Sequence, residues 1–216
     1  MILMISTAYT SDNLKLTYNY IYKNNIKNNS IPIILLHDIF DTQESFSSIH
    51  KELVNHHNII FSDYRNLDSP DLVTDSSINI YVKDIITILD NFGVSNINVI
   101  AHGSATQIAC GLSLNYPDYV NAMILEDFIT EKTDNKDRIL KTISKIKHPT
   151  LLLKGSKSKS ISADENQITV MSNDFLRSAS IELVESSGHI NNPVVFLSQV
   201  NKFLSIFEND TLIKFN

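Results

Sequence analysis

At 216 residues, with 43% hydrophobic and 19% charged side chains, the chain has the size and composition of one compact globular unit. Its formal net charge of -6, with no Lys/Arg run to offset it, disfavours nucleic acid and anionic membrane surfaces as partners. No apolar run approaches the ~18 residues of a membrane span, and the single cysteine, Cys110, cannot close an intramolecular disulfide, which points to a reducing compartment.

Residues 1–5 are apolar but carry no basic leader, so no signal peptide is expected and a cytoplasmic location is. Residues 14–21 alternate Leu14, Leu16, Tyr18 and Tyr20 with Lys15, Thr17 and Asn19, the period of a half-buried strand, expected at a sheet edge. Asn-rich residues 24–29 read as a turn or loop. Residues 31–36 form a continuous apolar run, as expected of a strand covered on both faces. Further strands are predicted over 58–63, 97–101, 122–125, 150–153 and 180–184.

Between them lie segments of helical period. Val82, Ile85, Ile86, Leu89 and Phe92 recur at spacings of three and four, with Gly93 as a C-cap candidate. A helix is expected after residue 101, ending near Asn115-Tyr116-Pro117, and another through Phe196, Val200, Phe203 and Leu204. This alternation predicts an α/β fold: a three-layer α/β/α sandwich around a mostly parallel sheet, one domain over residues 1–216. Its active crevice belongs at the carboxyl ends of the strands. Residues 128–148 have room for one helix but not for a covering cap, so the domain is expected to be cap-less.

Three strand ends carry candidate chemistry. In Ala101-His102-Gly103-Ser104-Ala105-Thr106 a strand runs straight into a helix. A nucleophile elbow needs small residues two before and two after the nucleophile, because strand and helix approach closely at a strained turn. Ala101 and Ala105 satisfy this around position 103, whereas a register centred on Ser104 puts His102 where a small residue is needed. The nucleophile slot is therefore Gly103, and Ser104 is the alternative nucleophile only if the turn relaxes by one residue. An ordinary strand–helix junction is the competing reading.

The second strand end is Glu185-Ser186-Ser187-Gly188-His189, after the last strand and before the final helix, where a catalytic base is delivered. A surface-loop histidine is the plainer alternative for His189. The third is Asp127, whose carboxylate is placed to accept from a histidine Nδ1–H and set its tautomer; the alternative is a helix cap. Glu126 points to the opposite face. Backbone N–H groups of Ile39 and Ser104 are the candidate oxyanion hole, since backbone donors survive side-chain change.

His50, His56, His57 and His148 lack metal-ligand spacing and read as solvated or helix-terminal, and Cys110 as a small core residue. No metal or cofactor is expected, and no phosphate loop is present.

The runs Pro32-Ile33-Ile34-Leu35-Leu36-His37 and Leu53-Val54-Asn55-His56-His57-Asn58-Ile59-Ile60, with Asp63-Tyr64-Arg65-Asn66 and Ser69-Pro70, resemble small bacterial esterases of the YbfF type, members of the α/β-hydrolase superfamily. The likeness spans nearly the whole chain. It implies hydrolysis of carboxylic esters or acyl-CoA thioesters by a Ser–His–Asp triad, with the acid at Asp127 and the base at His189. The family's His-Gly loop corresponds to His37-Asp38, and its Gly-His-Ser-Met-Gly-Gly motif to Ala101-His102-Gly103-Ser104-Ala105-Thr106.

The departures are Gly103 for the serine, Asp38 for a glycine, and the missing cap. Asp38 brings negative charge to where an oxyanion would develop, and weakens the hole unless it turns to solvent. Two functions follow. One is an ester or acyl-thioester hydrolase acting on small molecules; the other is a catalytically impaired pseudo-hydrolase with a binding or interaction role. A homodimer is the expected way to hide apolar surface around an uncapped crevice.

Overall fold

A computed structural model describes residues 1–22, 30–65, 75–127, 145–153, 179–181 and 192–210. The eight strands among them form one sheet in the order β1-β2-β4-β3-β5-β6-β7-β8. They are β1 (Ile2–Tyr9), β2 (Lys15–Tyr22), β3 (Ile33–Leu36), β4 (Ile59–Ser62), β5 (Ile97–His102), β6 (Val120–Glu126), β7 (Thr150–Leu153) and β8 (Ala179–Ile181). β2 runs antiparallel to both β1 and β4, and all other pairs are parallel.

Residues 14–21 are thus a strand, but not at the edge. β1 covers it over eight paired residues, from Ile2↔Tyr22 to Tyr9↔Lys15. The five apolar residues at the start read as a run with no period, because β1 is exposed on both faces at Leu3, Met4 and Ile5. Alternation marks a strand only where one face is buried.

The parallel strands carry apolar residues of both parities because helices cover both faces. Ile34 and Leu36 of β3, with Val99 and Ala101 of β5, pack beneath α2 (Asp75–Phe92) and α3 (Ala105–Asn115). Ile33 and Leu35, with Ile100, face α1 (His50–Leu53) and α4 (Pro193–Asp210). The result is the expected three-layer sandwich. The helical stripes bury as their spacing requires, with Val82, Leu89, Phe196 and Val200 all buried. Gly93, at φ +74°, ends α2, and Val94 N–H reaches back to the Leu89 carbonyl at 3.0 Å, a Schellman-type stop.

The segments 24–29 and 128–144 and most of 180–184 lie outside the described residues, as does any cap. Among the described residues no helix is long and apolar enough to cross a membrane.

Candidate active site

Chain order takes β3 outward to β4 and then back across to β5, so β3 and β5 flank the point where the winding reverses. Crevices open at such switch points, beyond the strand carboxyl ends. His37 and Asp38 leave β3 there, His102 and Gly103 leave β5, and Asp127 leaves β6.

The turn after β5 is centred on residue 103. Gly103 has φ +60°, in the left-handed region where side chains are strained, while Ser104 has ordinary helical angles of φ -61° and ψ -27°. Gly103 N–H donates to the Glu126 carbonyl at 2.9 Å, and the Gly103 carbonyl accepts from the Thr106 hydroxyl at 2.6 Å. Strand and helix are therefore tied on both sides of the turn. Ala105 is fully buried below it, which explains why that position must be small.

Asp38 fills the space above Gly103. A Cβ built on Gly103 would lie 2.0 Å from Asp38 Oδ2, closer than any non-bonded contact. The same Oδ2 accepts from Ser104 N–H at 3.0 Å. Oδ1 accepts from the Ser104 hydroxyl at 3.1 Å and from Phe40 N–H at 3.0 Å. The Phe40 bond is local: an Asp side chain taking the N–H two residues ahead makes an Asx turn, and Asp41 N–H closes it on the Asp38 carbonyl at 2.9 Å. The half-buried carboxylate thus turns inward, not to solvent.

Ser104 precedes α3 but does not cap it. Its Oγ accepts from Ile39 N–H at 2.9 Å while donating to Asp38, and the residue is only 4% exposed. The two candidate oxyanion donors, Ile39 N–H and Ser104 N–H, lie side by side, each already holding an internal acceptor.

Asp127 stands one residue past β6, at φ +50°, a backbone region that Asp tolerates better than most residues. Its N–H donates to the Leu153 carbonyl at 2.9 Å, and its Oδ2 lies 3.7 Å from His102 Nε2. His189, the expected partner, lies outside the described residues. His102 was read from the sequence only as a bulky neighbour of the turn. The parallel register sets His102 opposite Glu126, and the turn of the chain at Asp127, with its positive φ, accompanies the approach of the next carboxylate to the same ring. Burial works against a charged His102, but the nearby Asp127 carboxylate and the charges of Glu126 and Asp38 outweigh it and raise its pKa.

The β3 loop is fastened from behind. His37 is buried; its Nδ1–H donates to the Asp38 carbonyl at 2.7 Å, and its Nε2 lies 3.4 Å from Asp63. Tyr64 donates to the His37 carbonyl at 2.9 Å. Burial, then the charges of Asp38, Tyr81 and Asp63, push the Tyr64 phenol well above its usual range, keeping it a donor.

Two other histidines read as solvated or helix-terminal are less exposed than that, although His57 N–H does donate to the carbonyl of Leu53 at the end of α1. His57 is buried, and half-buried His148 bridges Ser113 Oγ at 2.7 Å and the Pro117 carbonyl at 3.0 Å. Cys110 is buried in the core, and burial pushes its thiol up to about 12, so no thiolate forms there near neutral pH. Among the described residues no His/Cys/Asp/Glu group is arranged to hold a metal ion.

No protein-family model and no curated protein matches the chain. Solved structures do. A CIB-like hydrolase from Thermoplasma acidophilum is 20% identical, with a TM-score of 0.74 over 94% of this chain and 98% of its own. A thermophilic esterase from Thermogutta terrifontis is 12% identical, with a TM-score of 0.72 over 95% and 99% of the two chains. An enol-lactonase from Burkholderia xenovorans is 13% identical, with a TM-score of 0.71 over 93% and 100%. At such identities the likeness speaks for architecture, and together with the sheet order and the tight turn at Gly103 it establishes that this chain has the α/β-hydrolase fold.

Proposed function

We propose that this chain is a pseudo-hydrolase: a cap-less protein of esterase or thioesterase ancestry, YbfF-like in its motifs, that no longer hydrolyses esters by a serine mechanism. The observation that carries this reading is the position of Asp38, whose carboxylate takes both the side-chain space of residue 103 and the N–H of Ser104. Loss of a nucleophile alone leaves roughly 10³–10⁴-fold catalysis over water in well-built sites, and that remainder comes from the oxyanion hole and substrate binding. Here a negative charge sits in the hole, so the remainder is expected to vanish as well. His189 and Asp127 are then remnants of a triad, and the retained crevice serves a binding or interaction role.

One observation favours weak esterase or thioesterase action instead. The Ser104 hydroxyl donates to a carboxylate at 3.1 Å, the contact a general base makes with a nucleophile. Its near-complete burial weighs against this, because an acyl carbon cannot reach Oγ while Ile39 and Asp38 enclose it.

The test is hydrolysis of a short-chain nitrophenyl ester and an acyl-CoA by the purified protein beside Ser104→Ala and His189→Ala. Background rates in all three support the pseudo-hydrolase. Turnover by the parent that disappears with Ser104→Ala sinks it and establishes a displaced nucleophile.

A further inference from the structure

We propose that Asp38 is an internal ligand that holds an anion-binding hole closed, and that a free small carboxylate takes its place when this side chain is removed. The hole has three donors from two segments: Ser104 N–H on Oδ2, and Phe40 N–H and the Ser104 hydroxyl on Oδ1. All three contacts are 3.0–3.1 Å, so both carboxylate oxygens are satisfied. Ser104 N–H also opens α3, an eleven-residue helix whose dipole favours negative charge at this end.

The room for the carboxylate comes from Gly103. Any side chain there would begin 2.0 Å from Oδ2, so Asp38 has to leave its present position before a side chain at 103 can be accommodated. Glycine at 103 and aspartate at 38 are therefore one coupled feature. An incoming acyl oxygen or carboxylate has to displace Asp38 from Ser104 N–H, and meets its negative charge while doing so. The resting site is closed to that ligand class by its own side chain. Asp38→Gly deletes a carboxymethyl group, and acetate supplies a carboxylate of matching size for the vacated donors.

This inference concerns the same site as the proposed loss of hydrolysis and rests on that reading, yet the two fail separately. Ester turnover by the unmodified protein removes the first. The second is tested by titrating full-length Asp38→Gly with sodium acetate against sodium chloride, following the Ser104 and Phe40 amide resonances and the Tm. Saturable movement of both amides, and a larger Tm rise in acetate than in chloride, are expected of the variant and absent from the parent. An equal response in the two proteins, or none in the variant, overturns the proposal. The parent carries its own check, which stands if the variant does not fold. Its Ser104 and Phe40 amides each donate to Asp38, so both are expected to be protected from exchange with solvent; free exchange of either overturns the proposal.

Discussion

Asp127 Oδ2 lies 3.7 Å from His102 Nε2, so the carboxylate just past β6 stands against the last residue of β5. Burial opposes charge on His102, but the Asp127 carboxylate and its acidic neighbours raise its pKa from the usual histidine value. A raised folded-state value means the stabilisation is fully present below the unfolded value and is lost as pH rises through the folded one. Asp127→Asn is expected to lower the His102 pKa and flatten that part of the stability profile. An NMR titration of the His102 ring checks it; an unmoved midpoint in the variant refutes the pairing.

His148 carries the opposite sign. Burial lowers its pKa below 6.5, against the weaker upward pull of the Pro117 carbonyl and the Asp118 charge. With Nε2–H donated to Pro117, Nδ1 is the acceptor for Ser113. Stability from this neutral ring is complete above the unfolded value and falls as pH drops toward the folded one. Ser113→Ala is expected to cost about 1 kcal/mol near neutral pH, read from urea unfolding. A cost that persists unchanged well below the folded pKa would count against this assignment.

Gly103→Ser alone is expected to be inert toward esters and unstable. The left-handed backbone costs a side chain about 1–2 kcal/mol, and the collision with Asp38 adds about 1–3 kcal/mol of overpacking. In an Asp38→Gly background the second cost disappears, leaving the serine room and freeing Ser104 N–H. The check is a double-mutant cycle on unfolding free energy, run beside a nitrophenyl ester assay. Additive costs would mean that Asp38 swings aside freely.

Arg65 joins three elements near the crevice. Its Nε donates to Asp84 of α2 at 2.6 Å, and its Nη1 donates to Asp12 in the β1–β2 turn at 2.7 Å. Burial raises the Asp84 pKa despite Arg65, whereas the hydrogen bonds from Arg65 and Thr10 lower that of exposed Asp12. Removing one partner of a buried pair costs about 3–5 kcal/mol, so Asp84→Ala should be severe. Asp12→Ala should be mild, because an exposed partner is screened by water. Chemical denaturation of the two variants decides it; equal losses would contradict the assigned burial.

The layer order and most strands were legible because they rest on buried apolar patterns, as in the continuous run at Ile33 and Leu35. β1 was not, since a strand exposed on both faces leaves no alternation. The centring of the turn on residue 103 was legible from Ala101 and Ala105, whose smallness is a packing requirement. The orientation of Asp38 was not, because its sequence shows a charge but not the Asx turn that aims it. The link between His102 and Asp127 needs a strand register, which a parallel pair sets through crossovers and not through a short turn. His148 was misread for a related reason: its partners, Ser113 and Pro117, lie some thirty residues upstream.

The close approach of Asp38 to Gly103 also bears on the mutational paths open to this chain. Serine at 103 arriving first meets the carboxylate, and glycine at 38 arriving first releases Ser104 N–H while residue 103 still carries no side chain. The effect of a change at either position is therefore expected to depend on the residue at the other.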